Sequence, residues 1–126
     1  MSTLKVATIQ DTSGNNSSTP AQVAEGRAKA WVNFNGTGTV AIRDNFNVSS
    51  ITDHGTGEYT ANLTTAMANT NGAPVGNANE FADSHNGGLR CVEAFFTSTS
   101  AVRCAVNYVN GGMSDSVLVN IVVFGD

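Results

Sequence analysis

The chain alternates apolar and polar positions in short runs that end at Gly, Asn and Asp. Residues 27–66, RAKAWVNFNGTGTVAIRDNFNVSSITDHGTGEYTANLTTA, carry the clearest pattern. Val32 and Phe34 alternate with Trp31 and Asn33, Val40 and Ile42 with Thr39, Ala41 and Arg43, and Tyr59, Ala61 and Leu63 with Thr60 and Asn62. Alternation with period two predicts half-buried strands. The NGTG at 35–38 and the DHGTG at 53–57 fall between such runs and predict hairpin corners, since Gly accepts the positive φ these turns need. A phosphate loop would require a helix start or a Lys behind the glycines, and neither follows. In the run at 44–50, Phe46 and Val48 are expected on one face, with a bulge or corner before Ile51.

Residues 90–96 and 101–109 predict a further hairpin, and the closing run at 117–124 differs in kind. Val117, Val119, Ile121 and Val123 fall on one face, and Leu118, Val122 and Phe124 on the other, broken only by Asn120. Both faces need cover, so this strand sits centrally or faces a second subunit. Upstream, residues 4–9 predict a short strand, 10–18 (QDTSGNNSS) a linker, and Thr19 before Pro20 the N-cap of a helical turn over 20–26. Segment 67–88 lacks periodicity and is dense in Asn, Gly and Ala. It is expected to be a long, partner-facing loop, with Asn71, Asn77, Asn79, Phe81 and His85 as contact residues; Phe81 alternatively pins the loop to the core. The expected fold is all-β, a small antiparallel β-sandwich, jelly-roll-like or Ig-like, with an extended N-terminal arm and one short helix. Residues 1–18 form the arm and linker, and 19–126 the sandwich domain.

At 126 residues the chain has room for one domain. Charged residues make up 13% of it, while Gly, Ser, Thr and Asn supply about two fifths, a balance that fits a β-rich surface protein better than a helical enzyme. Net charge is -4, and Lys5, Arg27, Lys29, Arg43, Arg90 and Arg103 are scattered, which argues against nucleic-acid binding. No run approaches the ~20 apolar residues of a membrane helix, and MSTLKVATIQ lacks the apolar core of a signal peptide, so neither membrane insertion nor export by that route is expected. The sequons at Asn15, Asn16, Asn35, Asn47 and Asn62 follow from composition alone.

Candidate chemistry is sparse. A hairpin centred near Thr97 and Ser98 sets Cys91 and Cys104 opposite each other, which permits a disulfide, but folding in a reducing compartment favours two small buried thiols. Glu80, Asp83 and His85 supply three metal ligands or a general base, yet they lie in a polar stretch without a recognised signature. His54 beside Asp53 sits in a turn. With no Gly-x-Ser-x-Gly elbow and no Cys near a His partner, no enzyme activity, cofactor or metal is expected.

The stretch AKAWVNFNGTGTVAIRDNFNVSSITDHGTGEYTANLTTAM resembles a segment of small structural proteins of tailed bacteriophages, the tail-fibre-like proteins of cyanophages and other marine phages. The opening MSTLKVATIQDTSG and the following STPAQVAEGRAKAW are similar too, with a weaker echo in DSVLVNIVVFGD, so the likeness covers about the first half of the chain. It implies a virion component assembled in the host cytoplasm, and it brings no catalytic residues. The expected function is a tail-fibre-like domain displayed for host-surface attachment; the alternative is a capsid decoration, or cement, protein. On either reading Leu4, Val6 and Ile9 are the expected virion-docking arm, contacting a tail or major capsid protein. Trp31, Val119, Ile121 and Val123 are the expected interface of a homo-oligomer, and the phage-fibre resemblance implies a trimer. A host-surface glycan or protein is the further partner, although the aromatic residues lie mostly in strand runs, which speaks against sugar stacking in loops.

Overall fold

The computed structural model describes residues 1–80 and 90–125. Among them, eight strands form two antiparallel sheets: β1 (Ala30–Asn35), β2 (Ala41–Phe46), β3 (Val48–Gly55), β4 (Glu58–Leu63), β5 (Ala73–Asn79), β6 (Arg90–Ser98), β7 (Ala101–Tyr108) and β8 (Leu118–Phe124). The first sheet has the order β2-β1-β8-β5 and the second β3-β4-β7-β6. The expected small all-β sandwich with one short helix is therefore what the chain forms. The NGTG and DHGTG segments turn the β1–β2 and β3–β4 hairpins, as their glycines predict.

The core lies between the sheets. Val32, Phe34, Val119, Ile121 and Val123 enter it from the first, and Tyr59, Ala61, Val102, Cys104 and Val106 from the second, all essentially without solvent contact. Each large apolar side chain buried there contributes about 1.5–3 kcal/mol of transfer free energy. Phe34 and Tyr59 meet edge-on across the layers, with ring centroids 5.2 Å apart and planes at 74°. The Tyr59 hydroxyl lies 2.8 Å from both the Gly36 carbonyl and Asp115 Oδ1, and Asp115 Oδ1 also accepts from the Gly57 N–H at 2.8 Å. A Cβ at residue 36 would stand 2.6 Å from that hydroxyl, so Gly36 is the residue that lets the β1–β2 turn close over Tyr59.

Four sequence expectations are corrected by the fold. Phe46 and Val48 do not share a face, because the chain leaves the first sheet between them: Asn47 adopts φ +57°, Phe46 is exposed, and Val48 enters the core. Segment 67–88 is not one long loop, since residues 73–79 pair with β8 along the whole of β5. That strand carries Pro74 and Gly76, both poor strand formers. Pro74 is tolerated because β5 is an edge strand, and Gly76 is needed because a Cβ there would stand 2.7 Å from Val92 Cγ1 on β6. Residues 4–9 form no strand; Ile9 makes an isolated bridge to Ser18 with two 2.8 Å hydrogen bonds. Cys104 lies opposite Ala94 and Cys91 opposite Asn107, so the cysteines are not paired, and only Cys104 is buried.

Helix α1 (Pro20–Gly26) starts where Thr19 and Pro20 predict. Gln22 closes the capping box: its N–H donates to Thr19 Oγ1 at 3.2 Å, and the Thr19 N–H donates to Gln22 Oε1 at 2.8 Å. The helix buries none of its residues, so α1 and the arm stand outside the core.

Candidate functional site

Strands β1 and β8 each turn one set of alternating residues inward, which leaves the other set on the outer face of the first sheet. On β1 the outward set is Trp31, Asn33 and Asn35; on β8 it is Leu118, Asn120, Val122 and Phe124. Directly paired residues share a face. The register therefore aligns Phe46, Trp31, Val122 and Val75 in a single row across all four strands. At the strand spacing of a sheet the row is roughly 14 Å wide. Its two ends are open to solvent: Phe46 is 54% exposed and Val75 53%. The row beside it is polar, Asp44, Asn33, Asn120 and Asn77, with Asn33 Nδ2 donating to Asn120 Oδ1 at 2.5 Å. An apolar band backed by a ladder of amides is suited to docking another surface in a fixed orientation.

The predicted interface residues divide across the sheet. Trp31 is on the outer face and half-buried, as its position opposite Val32 and Phe34 implies. Val119, Ile121 and Val123 are 0–1% exposed inside the sandwich, so they belong to the core of the single chain and cannot meet a second copy. Strand β8 is central, and the outward residue that completes the row is Val122. The predicted loop residues separate as well. Asn77 and Asn79 are strand residues of β5, Asn71 is in the turn before it with its N–H donating to Asn69 Oδ1 at 2.8 Å, and Phe81 and His85 lie outside the described residues.

The predicted arm residues are all exposed, Leu4 at 86%, Ile9 at 53% and Val6 at 41%. Together with Pro20, Val23, Ala24 and Arg27 they border an open cleft of about 520 Å³ between arm and helix. Asp11 shapes the turn beyond: its Oδ1 accepts from the N–H of Ser13 at 2.9 Å and of Asn15 at 2.8 Å.

A second cleft, of about 450 Å³, opens at the Phe46 end of the apolar row, between Arg27, Ala28 and Lys29 on one side and Thr64 and Thr65 on the other. Asn47 holds its walls together. Its Nδ2 donates to the carbonyls of Lys29 and Thr65 at 3.1 Å each, its Oδ1 accepts from the Thr65 N–H at 2.7 Å, and its own carbonyl accepts from the Thr64 N–H at 3.1 Å. In the sequence Asn47 stands out only as one of five sequons. The available signal was an Asn between two strand runs, the residue type that most readily takes positive φ without being Gly.

The remaining candidate chemistry has structural partners. Burial pushes the Cys104 thiol up to about 12, far from a reactive thiolate. Burial, and then the hydrogen bond to Asp115, raise the Tyr59 phenol well above its ordinary value. His54 Nε2 lies 2.9 Å from Thr60 Oγ1, and Glu80 pairs with Arg90 at 2.9 Å. Of the set Glu80, Asp83 and His85, the last two lie outside the described residues; among the described residues no three metal-binding side chains gather. No described helix is long and apolar enough to cross a membrane. No protein-family model matches the sequence, no curated protein matches it, and no solved structure matches it.

Proposed function

We propose that this chain is a structural protein of a tailed-phage particle, a tail-fibre-like β-domain displayed for attachment to the host surface. The observation that carries the proposal is the row Phe46–Trp31–Val122–Val75, an apolar band that crosses all four strands of the outer face beside the polar row Asp44–Asn33–Asn120–Asn77. A single chain of this size leaves such a band uncovered only at a cost in solubility, and repeated copies in a particle cover its centre, Trp31 and Val122, while Phe46 at its end stays open. On this reading the chain is a homo-oligomer, a trimer in keeping with the phage-fibre likeness of residues 28–67, and Trp31 lies at the contact between copies. The polar, weakly charged surface suits assembly with other virion proteins and not with nucleic acid.

One observation favours a second reading, a decoration protein of the head shell. The arm presents Leu4, Val6 and Ile9 to solvent next to the helix cleft, in the form of an element that docks along a capsid surface. Antibody labelling of purified particles, imaged by electron microscopy, separates the two. Label confined to the tail supports the fibre reading, label spread over the head supports decoration, and particles without the chain overturn both.

A further inference from the structure

We infer that the cleft beside Phe46 binds an acidic saccharide, a sugar ring that bears a carboxylate. The inference rests on the attachment reading and names the ligand class that attachment would use. Three chemistries converge on the cleft. Phe46, an exposed residue, offers its aromatic ring to the C–H face of a pyranose. Arg27, the exposed C-cap residue of α1, offers a guanidinium fork that matches a carboxylate bidentately. Thr64 and Thr65 are exposed, and a Thr hydroxyl can donate to and accept from sugar hydroxyls alike.

Among the described residues that line the cleft none is acidic, although Asp and Glu outnumber Lys and Arg in the chain by ten to six. The local charge therefore runs against the net charge, as an anion site requires. Lys29 adds to the same wall while making contacts of its own, and Arg27 is the cation a ligand would meet. A volume of about 450 Å³ falls in the range of small-ligand sites, and the Asn47 hydrogen bonds fix both walls before any ligand arrives. A bare phosphate would use the guanidinium and leave the aromatic face idle. A neutral sugar would use the face and leave the charge idle. Phe46 escaped the sequence argument against sugar stacking because it is a strand residue that the corner at Asn47 leaves uncovered.

The test is calorimetric titration of the intact chain with uronate trisaccharides of different ring epimers, with the corresponding neutral trisaccharides, and with inorganic phosphate. One uronate is expected to bind about tenfold more tightly than its neutral counterpart, and phosphate not to bind measurably. Phe46→Ala and Arg27→Gln are each expected to weaken the uronate about tenfold; both replaced side chains are exposed, and an unchanged circular dichroism spectrum checks the fold. Trp31, the single tryptophan, pairs directly with Phe46, so its emission should shift on saturation with the uronate and stay fixed in Phe46→Ala. Absence of uronate binding, equal affinity for the neutral sugar, phosphate binding of similar strength, or indifference to both substitutions would overturn the inference. If uronates fail while antibody places the chain on the tail, the ligand is wrong and the attachment reading stands. If they bind while particles lack the chain, the attachment reading falls instead.

Discussion

Phe46 on β2 lies directly across from Trp31 on β1, and the pair extends through Val122 to Val75 as one apolar line on the outside of a sheet whose inside is the core. Strand β1 thus separates two kinds of hydrophobic residue that a hydropathy profile treats alike. Phe34 faces inward and is fully buried, while Trp31 faces outward.

Truncation on the two faces of β1 should have different consequences. Phe34→Ala removes a ring packed edge-on against Tyr59 and should cost about 3–5 kcal/mol in urea unfolding. Trp31→Ala, measured at dilutions where the chain is monomeric, should cost roughly 1 kcal/mol, because a half-exposed side chain has less to lose. Equal losses at both positions would show that the outer face is packed as tightly as the core.

Asn47 joins two requirements that ordinary substitutions separate. Asn47→Gly keeps access to φ +57° but removes three side-chain hydrogen bonds; Asn47→Ala removes the bonds and adds backbone strain. Thermal unfolding should rank wild type above Gly and Gly above Ala, with Ala lower than wild type by about 2–4 kcal/mol. If Ala matches Gly, the positive φ is not a constraint at this corner.

Ser116 is fully buried, and its hydroxyl has no hydrogen-bond partner among the described residues, while its backbone carbonyl accepts from the Gly36 N–H at 2.9 Å. Ser116→Ala keeps the backbone bond and removes a buried, unpaired polar atom. The variant should be more stable by about 1 kcal/mol in denaturant titration. A loss of stability would mean that the hydroxyl has a partner, such as a buried water.

Alkaline pH should unfold the domain through two buried acids. Cys104 has a folded value of about 12 against an ordinary 9.0, and Tyr59 lies above its ordinary 10.0, so both hold their protons more tightly in the folded chain. The unfolded chain then binds fewer protons, and stability falls as pH rises. It is level below about pH 9, declines by up to ~1.4 kcal/mol per pH unit as Cys104 is engaged, and declines more steeply above about pH 10 as Tyr59 joins. Cys104→Val should move the onset from about pH 9 to about pH 10. Denaturant midpoints measured from pH 7 to 11 check both the slope and the displacement.

The sandwich was readable where side-chain periodicity and turn chemistry agree. AWVNFN in β1 alternates inward and outward at every position, EYTANL in β4 sends Tyr59, Ala61 and Leu63 inward, and the glycines of NGTG and DHGTG fall at the hairpin corners. Strand β5 was hidden because APVGNAN is shaped by its neighbours: Gly76 answers to Val92, and Pro74 is acceptable only on an edge, neither of which local propensity reveals. The arm failed in the opposite direction. LKVATI has strand composition, but a strand exists only with a partner, and among the described residues this arm pairs only through the Ile9–Ser18 bridge. At the site, Trp31 was readable from alternation, whereas assigning Val119, Ile121 and Val123 to an interface required a choice between the two apolar faces of β8. That choice depends on where the second sheet lies, which no local pattern encodes. The cleft at Asn47 gathers residues from positions 27–29, 46–47 and 64–65, a set that only the fold brings together.

The docking role of the outer face is tested most directly by sedimentation velocity of the wild type beside Val122→Asp, which places a charge in the centre of the apolar row without entering the core. The wild type should sediment as an oligomer at micromolar concentration, and Val122→Asp as a folded monomer. A wild type that remains monomeric throughout, or a Val122→Asp variant that associates as the wild type does, would contradict the account.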